Sequence, residues 1–246
     1  MKRLAQALVP LLIIIIGFAV FFQGLPWQFR VREEYGSLRH NDLNTVSAMN
    51  ADAVPEGWKE YSAGGIGFYA PAGLKYDEDE AIFTDDSISI RVYTKQNAPD
   101  QLPKTESVDE WLDELGLTAA DMRWFCTRTQ RRYPRDEYEF FELMGGLSAE
   151  DLDIHSYKQS RIFFALAEMC LPLFDKNVSY STLEGEGLRA ILISYRPVGD
   201  DLPYILARIT PDGGGVASAV ISTGSTVTDL DIASSLHSAG GTTEET

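Results

Sequence analysis

The sequence predicts an α+β fold: an antiparallel sheet packed against helices, with a central helical insert and a single transmembrane helix at the N-terminus. Three observations carry this reading. Apolar alternation with a period of two recurs in two blocks, one before residue 95 and one after residue 177. Between them lie helix-start signals and an apolar stretch too long for one strand. Ahead of both blocks, residues 4–22 are uncharged and almost wholly apolar.

Lys2 and Arg3 precede that apolar run, and Gln6 is its one strongly polar member. At ~1.5 Å per residue the run makes a helix of roughly 28 Å, against a bilayer core ~30 Å thick. Pro10 is tolerated near the end of a membrane helix, and Trp27 falls at interfacial depth. A cleaved signal peptide is the competing reading, because Gly17 and Ala19 stand at −3 and −1 of a cut before Val20. Against it, Val20, Phe21 and Phe22 continue the run with no polar segment between. No lipid-anchoring cysteine follows the run. The basic residues flanking it are nearly balanced, Lys2 and Arg3 against Arg30, Arg32 and Arg39. A basic segment ahead of an apolar run is the secretory arrangement, which puts the N-terminus inside and the body outside. The opposite orientation makes the chain a cytoplasm-facing membrane adaptor.

The 246 residues carry 21 Lys+Arg and 37 Asp+Glu, a formal net charge of −16. Residues 1–32 contain four basic groups and no acid, so the remainder stands at −20, with 17 basic groups. So acidic a body repels phosphate backbones, which argues against nucleic acid as a partner. Two cysteines are too few for a disulfide-rich scaffold or a four-cysteine zinc site.

Residues 30–57 read as a juxtamembrane spacer, since 37–53 are rich in Asn, Asp, Ser and small residues without a steady period. The α+β domain is expected over 58–237. Trp58 to Ser62 alternate, Gly64-Gly65 turns the chain, and 66–70 make a second strand. After a break at Pro71 and an acidic turn at 77–80, 81–84 and 87–94 read as strands. In the latter, Ile88, Ile90 and Val92 share one side. The helical insert spans about 107–174. Ser107-x-x-Glu110, Thr118-x-x-Asp121 and Ser148-x-x-Asp151 have capping spacing. Pro134 is placed in the first turn of a helix that Gly145-Gly146 ends. The longest helix is expected over 149–171, with Pro172 ending it. Strands return at 178–183, 188–195, 204–210 and 216–223. Their short links predict an antiparallel meander, and an amphipathic helix follows over 227–237. Residues 238–246 read as a disordered tail.

This layout resembles the PsbP-like and DcrB-like extracytoplasmic domains. The likeness rests on Trp58-Lys59-Glu60-Tyr61, on Gly65-Ile66-Gly67-Phe68-Tyr69-Ala70-Pro71, and on a closing glycine-broken strand, 213–222, with a terminal helix ending in Ser235-Leu236. It covers about half the body and transfers no functional residue, and the insert is longer than those domains carry. The resemblance implies a membrane-associated accessory or binding domain.

Few residues point to chemistry. Arg128, Arg131, Arg132 and Arg135 fall within eight residues around Tyr133. They are the candidate contact for an anionic lipid headgroup, a wall polymer or an acidic protein. The competing role is local pairing with Asp136, Glu137 and Glu139 on a solvated face. Cys126 and Cys170 either form one disulfide or stay as two buried thiols. Residues 162–171 read as a core helix under the sheet. The acidic runs lack the spacing of a calcium loop, and His40, His155 and His237 lack that of a metal site. No nucleophile elbow, phosphate loop, metalloprotease helix or dinucleotide fingerprint occurs, so no cofactor, metal or catalytic residue is assigned. The expectation is a non-catalytic, membrane-anchored binding or assembly module. A hydrolase with an unrecognised site between sheet and insert is the alternative.

Overall fold

The computed structural model describes residues 43–239, except 86, 103–106, 154, 171–174, 176 and 197–200. The predicted transmembrane run at 4–22 lies outside the described residues. Among those described, no helix is long and apolar enough to cross a membrane.

The first strands follow the alternation of the sequence. They are β1 (Asn44–Ser47), β2 (Trp58–Ala63), β3 (Ile66–Pro71), β4 (Lys75–Asp77), β5 (Ile82–Thr84) and β6 (Ser89–Thr94). Four helices follow, α1 (Val108–Glu114), α2 (Ala119–Arg128), α3 (Glu137–Gly145) and α4 (Tyr157–Met169). The chain then returns to strands β7 (Val178–Gly185), β8 (Leu188–Tyr195), β9 (Tyr204–Pro211) and β10 (Ala217–Ser222). Helix α5 (Thr226–Ser234) and the short β11 (His237–Ser238) complete the described chain. An eight-stranded sheet has the order β1-β7-β8-β9-β10-β6-β5-β4, and a three-stranded sheet the order β11-β3-β2. The fold is α+β, with the expected meander at its centre: β7 to β10 pair antiparallel in succession. One pairing departs from an all-antiparallel sheet, since β1 runs parallel to β7.

Local signals set several boundaries. Gly64 and Gly65 both have positive φ, 56° and 83°, between paired Ala63 and Ile66. Two such residues in a row make the hairpin turn whose twist matches the strands, and glycine is the side chain that tolerates it. A Cβ on Gly64 would also collide with Thr94. Ser107, Thr118 and Ser148 form the three capping boxes their spacing predicts.

The structure corrects four expectations. The helix foreseen over 149–171 is two elements, a 3-10 turn at Ala149–Asp151 and α4. Asp151 turns its carboxylate back to the Ser148 N–H at 2.8 Å, and Ser156 then caps a new helix through the Gln159 N–H. Pro134 lies outside α3, whose cap is Asp136, accepting from the Glu139 N–H at 2.8 Å. Within the foreseen spacer, 44–47 form β1 and join the large sheet. The terminal helix stops at Ser234, and His237–Ser238 pairs with β3 instead.

The large sheet buries both faces. The helical insert covers one, where α3 packs on β7, β8 and β9, and α4 packs on α2 and α3. Large rings are prominent among the buried side chains there, with Trp111, Phe125, Phe140, Phe141, Phe163 and Phe164. α4 is therefore the buried helix the sequence indicates, held by neighbouring helices, and Glu168 on it is exposed. The small sheet and α5 cover the other face, through Phe68, Ile66, Ile232, Ala233 and Leu236.

Candidate functional site

The arginine cluster begins where α2 ends. Gln130 has φ 58°, a left-handed backbone that a residue with a Cβ adopts at a cost. The reversal brings the Arg131 N–H to the Cys126 carbonyl at 2.8 Å and turns the Arg131 side chain inward. Its Nε donates to Asp151 Oδ1 at 2.8 Å and its Nη2 to Oδ2 at 2.7 Å, a bidentate pair, and Nη2 also donates to the Gly146 carbonyl. Asp151 is 5% exposed. One guanidinium thus ties together the loop after α2, the end of α3 and the turn before α4.

The other three arginines stay at the surface. Arg128 lies 3.8 Å from Asp153, and Arg132 lies 3.8 Å from Glu139. Arg135 makes a forked pair with Glu139. Every arginine of the cluster therefore faces a carboxylate, but the partners differ from the local set the sequence suggests. Only Glu139 of that set is used. Asp136 pairs with Arg189 at 3.0 Å and Glu137 with Arg208 at 2.9 Å, both from the sheet. An anion at this cluster must compete with Glu139, Asp151 and Asp153 and does not meet a bare cation.

A cleft of about 620 Å³ opens beside these groups, lined by Arg131, Arg132, Tyr133, Glu139, Glu142 and Glu150 among others. That volume lies within the range of small-ligand sites. Two of its carboxylates, three residues apart on α3, are pushed in opposite directions. The hydrogen bond from Arg135 holds the Glu139 carboxyl down at about 2. Burial, then the Glu139 charge, raises that of Glu142. A pair so split is the arrangement that acid–base chemistry uses. The sequence reading missed Glu142, because nothing in its local pattern separates it from any helix-face glutamate.

A second groove, about 500 Å³, lies between sheet and insert and is lined by Asp136, Glu137, Arg189, Gly214 and Gly215 among others. Arg208 stands at its inner side, 4.1 Å from the Phe141 ring centre and 5.4 Å from that of Trp111. Arg189 lies 4.6 Å over the Tyr138 ring. These stacked ion pairs hold α3 to β8 and β9. This is the place where the alternative enzyme site was expected, and its charges serve the packing.

Cys126 and Cys170 are free thiols, both buried in the helical layer. Burial pushes the Cys126 thiol up to about 11, and the Cys170 thiol donates to the Met144 carbonyl at 3.0 Å. Among the described residues no group of three His, Cys, Asp or Glu could hold a metal ion. In the acidic turns, Asp77 and Asp85 accept backbone N–H bonds from residues two and three positions on, which occupies them locally. His237 sits between the Ser235 carbonyl and the Glu60 carboxylate. Comparison with protein-family models, with curated proteins and with solved structures finds no match to this chain.

Proposed function

We propose that the protein is a single-pass membrane protein, N-terminus inside, whose α+β domain lies outside the membrane and binds or assembles with a partner without catalysis. The observation that carries the proposal is the uncharged run at 4–22 behind Lys2 and Arg3. The PsbP-like and DcrB-like resemblance supports the same reading. The 620 Å³ cleft is the binding site. Arg132 supplies its most available cation, since its side chain is 68% exposed and its ion pair is long. The partner is a protein segment or lipid headgroup bearing an anionic group. Topology is read from reporter fusions at the C-terminus: activity confined to the cytoplasmic reporter overturns the orientation and favours the adaptor. Binding is read by pulldown from detergent-solubilised membranes and by flotation with anionic vesicles. Arg132→Glu is expected to lose the captured partner, and undiminished capture overturns the assignment of the cleft.

One observation favours a second reading. Glu139 and Glu142 form a split carboxylate pair in a cleft, so a hydrolase-type acid–base site is the alternative. It requires turnover of a chromogenic ester, phosphate or glycoside that Glu142→Gln abolishes while folding is retained.

A further inference from the structure

Six large apolar side chains stand exposed among the described residues, and four of them, Leu202, Tyr204, Val227 and Leu230, lie together. Tyr204 and Leu230 line one small cavity of about 30 Å³. Val227 and Leu230 share a side of α5 at helical spacing. A Leu202 methyl lies 3.7 Å from where a Cβ on Gly224 would stand, just before α5. Tyr195 extends the patch, its ring 5.1 Å from that of Tyr204. The start of α5 is fixed from below: Asp229 is fully buried, and its Oδ1 accepts from the Thr223 N–H at 2.7 Å. Val227, 69% exposed, is thus presented outward from an anchored helix.

The place of this patch in the fold says what covers it. Val178 opposes Tyr195 and Tyr195 opposes Tyr204, so the patch stands at the end of the sheet where β7 begins. β1 runs parallel to β7, with Asn44 opposite Ser181, and Leu43 lies beside Tyr180. The chain therefore enters the domain at the same end of the sheet as the patch. Everything before Leu43, including the apolar run at 4–22, attaches there. Residues 23–42, fully extended at ~3.5 Å each, reach at most about 70 Å. The domain therefore stays within that distance of the bilayer that holds such an anchor, and the patch stands at the end of the sheet where the tether is rooted.

We infer that Leu202, Tyr204, Val227 and Leu230 form a foot that rests in the interfacial region of the same bilayer. The inference depends on the anchor reading proposed above. Aliphatic and tyrosine side chains raised around one helix start are the composition of an interfacial contact. Charge favours a lipid surface over a second copy of the chain, because two bodies at −20 repel each other. The four foot residues are themselves uncharged, so phosphatidylcholine, a zwitterionic lipid, is the surface on which to test them.

The test uses the full chain in phosphatidylcholine proteoliposomes, with an environment-sensitive label on Val227→Cys. The native thiols are buried and escape labelling of the folded protein. A label on Glu186→Cys, in the β7–β8 turn at the opposite end of the sheet, is the control. Nitroxide lipids with a shallow spin label are expected to quench the 227 label about threefold or more above the 186 label, because quenching reads depth in the interface. Leu230→Glu should abolish that difference. Equal quenching at the two positions, in protein that floats with the vesicles, overturns the foot and leaves the anchor intact. Shielding of the 227 label without lipid quenching, growing with protein density, assigns the patch to a second copy and overturns it also. Failure to float overturns the anchor itself.

Discussion

The two faces of the eight-stranded sheet meet their covering layers through different chemistry. Toward the helices, the contact is made by large rings and by charge. Arg189 and Arg208 rise from β8 and β9 through the aromatic layer to meet Asp136 and Glu137 at the start of α3. Toward the small sheet and α5, the contact is mostly aliphatic, with Phe68 and Phe83 as its buried rings. Ala63, Ala70, Ala190, Ala207, Ala217, Ala219 and Ala233 recur among Ile, Leu and Val. Clefts of about 620 and 500 Å³ lie on the helical side, and one of about 30 Å³ lies beside α5. The cleft proposed above as the binding site thus lies on the helical face.

The contrast makes graded predictions. The largest effect belongs to the aromatic layer: Phe163→Ala, at a fully buried site, is expected to cost about 4 kcal/mol in urea unfolding. A loss below about 1 kcal/mol would mean the rings are loosely packed and would weaken the contrast. Next comes the buried ion pair. Arg131→Met leaves Asp151 buried without its partner and should cost about 3 kcal/mol. Arg135→Ala, at the surface, should lower the unfolding midpoint far less than Arg131→Met. Similar losses from both would show that the cluster acts as one network. On the opposite face the error to introduce is excess volume. Ala207→Leu, at another fully buried site, should cost about 2 kcal/mol by overpacking, and a neutral result would reveal slack between the layers.

Acid should also separate the faces. On the helical side, Glu139 is held at about 2 by the Arg135 hydrogen bond. Burial works against ionisation of Asp121, but hydrogen bonds from Thr118 and Lys158 and the Arg161 charge outweigh it and bring it to about 2. Both contribute stability that is present above the ordinary carboxylate range, near 4, and is lost as pH falls toward 2. Glu142, pushed up by burial, offsets part of this. On the other side burial raises Asp229, so its contribution is present below the ordinary range and fades as pH rises through its raised value. Amide hydrogen exchange compared at pH 5 and pH 3 should therefore show α2 and α3 losing protection before α5. Loss in the reverse order would contradict the assignment. The smallest expected signal is chemical: the folded protein should show no thiol reactive to a maleimide at pH 7.5, and the unreduced, unfolded protein two. A count of zero after unfolding would mean a disulfide joins Cys126 and Cys170.

Legibility in the sequence followed the range of each interaction. β8 lies at 188–195, where the turn residues on either side placed it, and the capping boxes at Ser107, Thr118 and Ser148 are all formed. Each depends on residues no more than a few positions apart. β1 was not legible, because Asn44–Ser47 is polar and does not alternate. It is a strand because β7 offers an open edge and Thr182 donates a hydroxyl hydrogen bond to Thr45 across the pairing. The break between Asp151 and α4 was hidden for the same reason. The sequence reading marked only Ser148 as a start, whereas Ser156 caps α4 as well, and the inward turn of Arg131 toward Asp151 accompanies two starts in place of one long helix. At the candidate site the arginines were visible as a cluster, and of their partners only Glu139 was.

The sequence by itself determined the class of fold, most of the order of its strands and helices, the acidity of the body and the apolar run at its head. These rest on periodicity, capping and composition, which act along the chain. Only the tertiary structure decided which carboxylate each arginine meets, that β1 joins the sheet in parallel, and that Glu142 is raised in a cleft. It also decided that four apolar side chains gather where the chain enters the domain. Apart from the meeting of Arg132 and Arg135 with nearby Glu139, those properties arise from groups 20 or more residues apart being brought together in space, and a linear pattern carries no term for such distances.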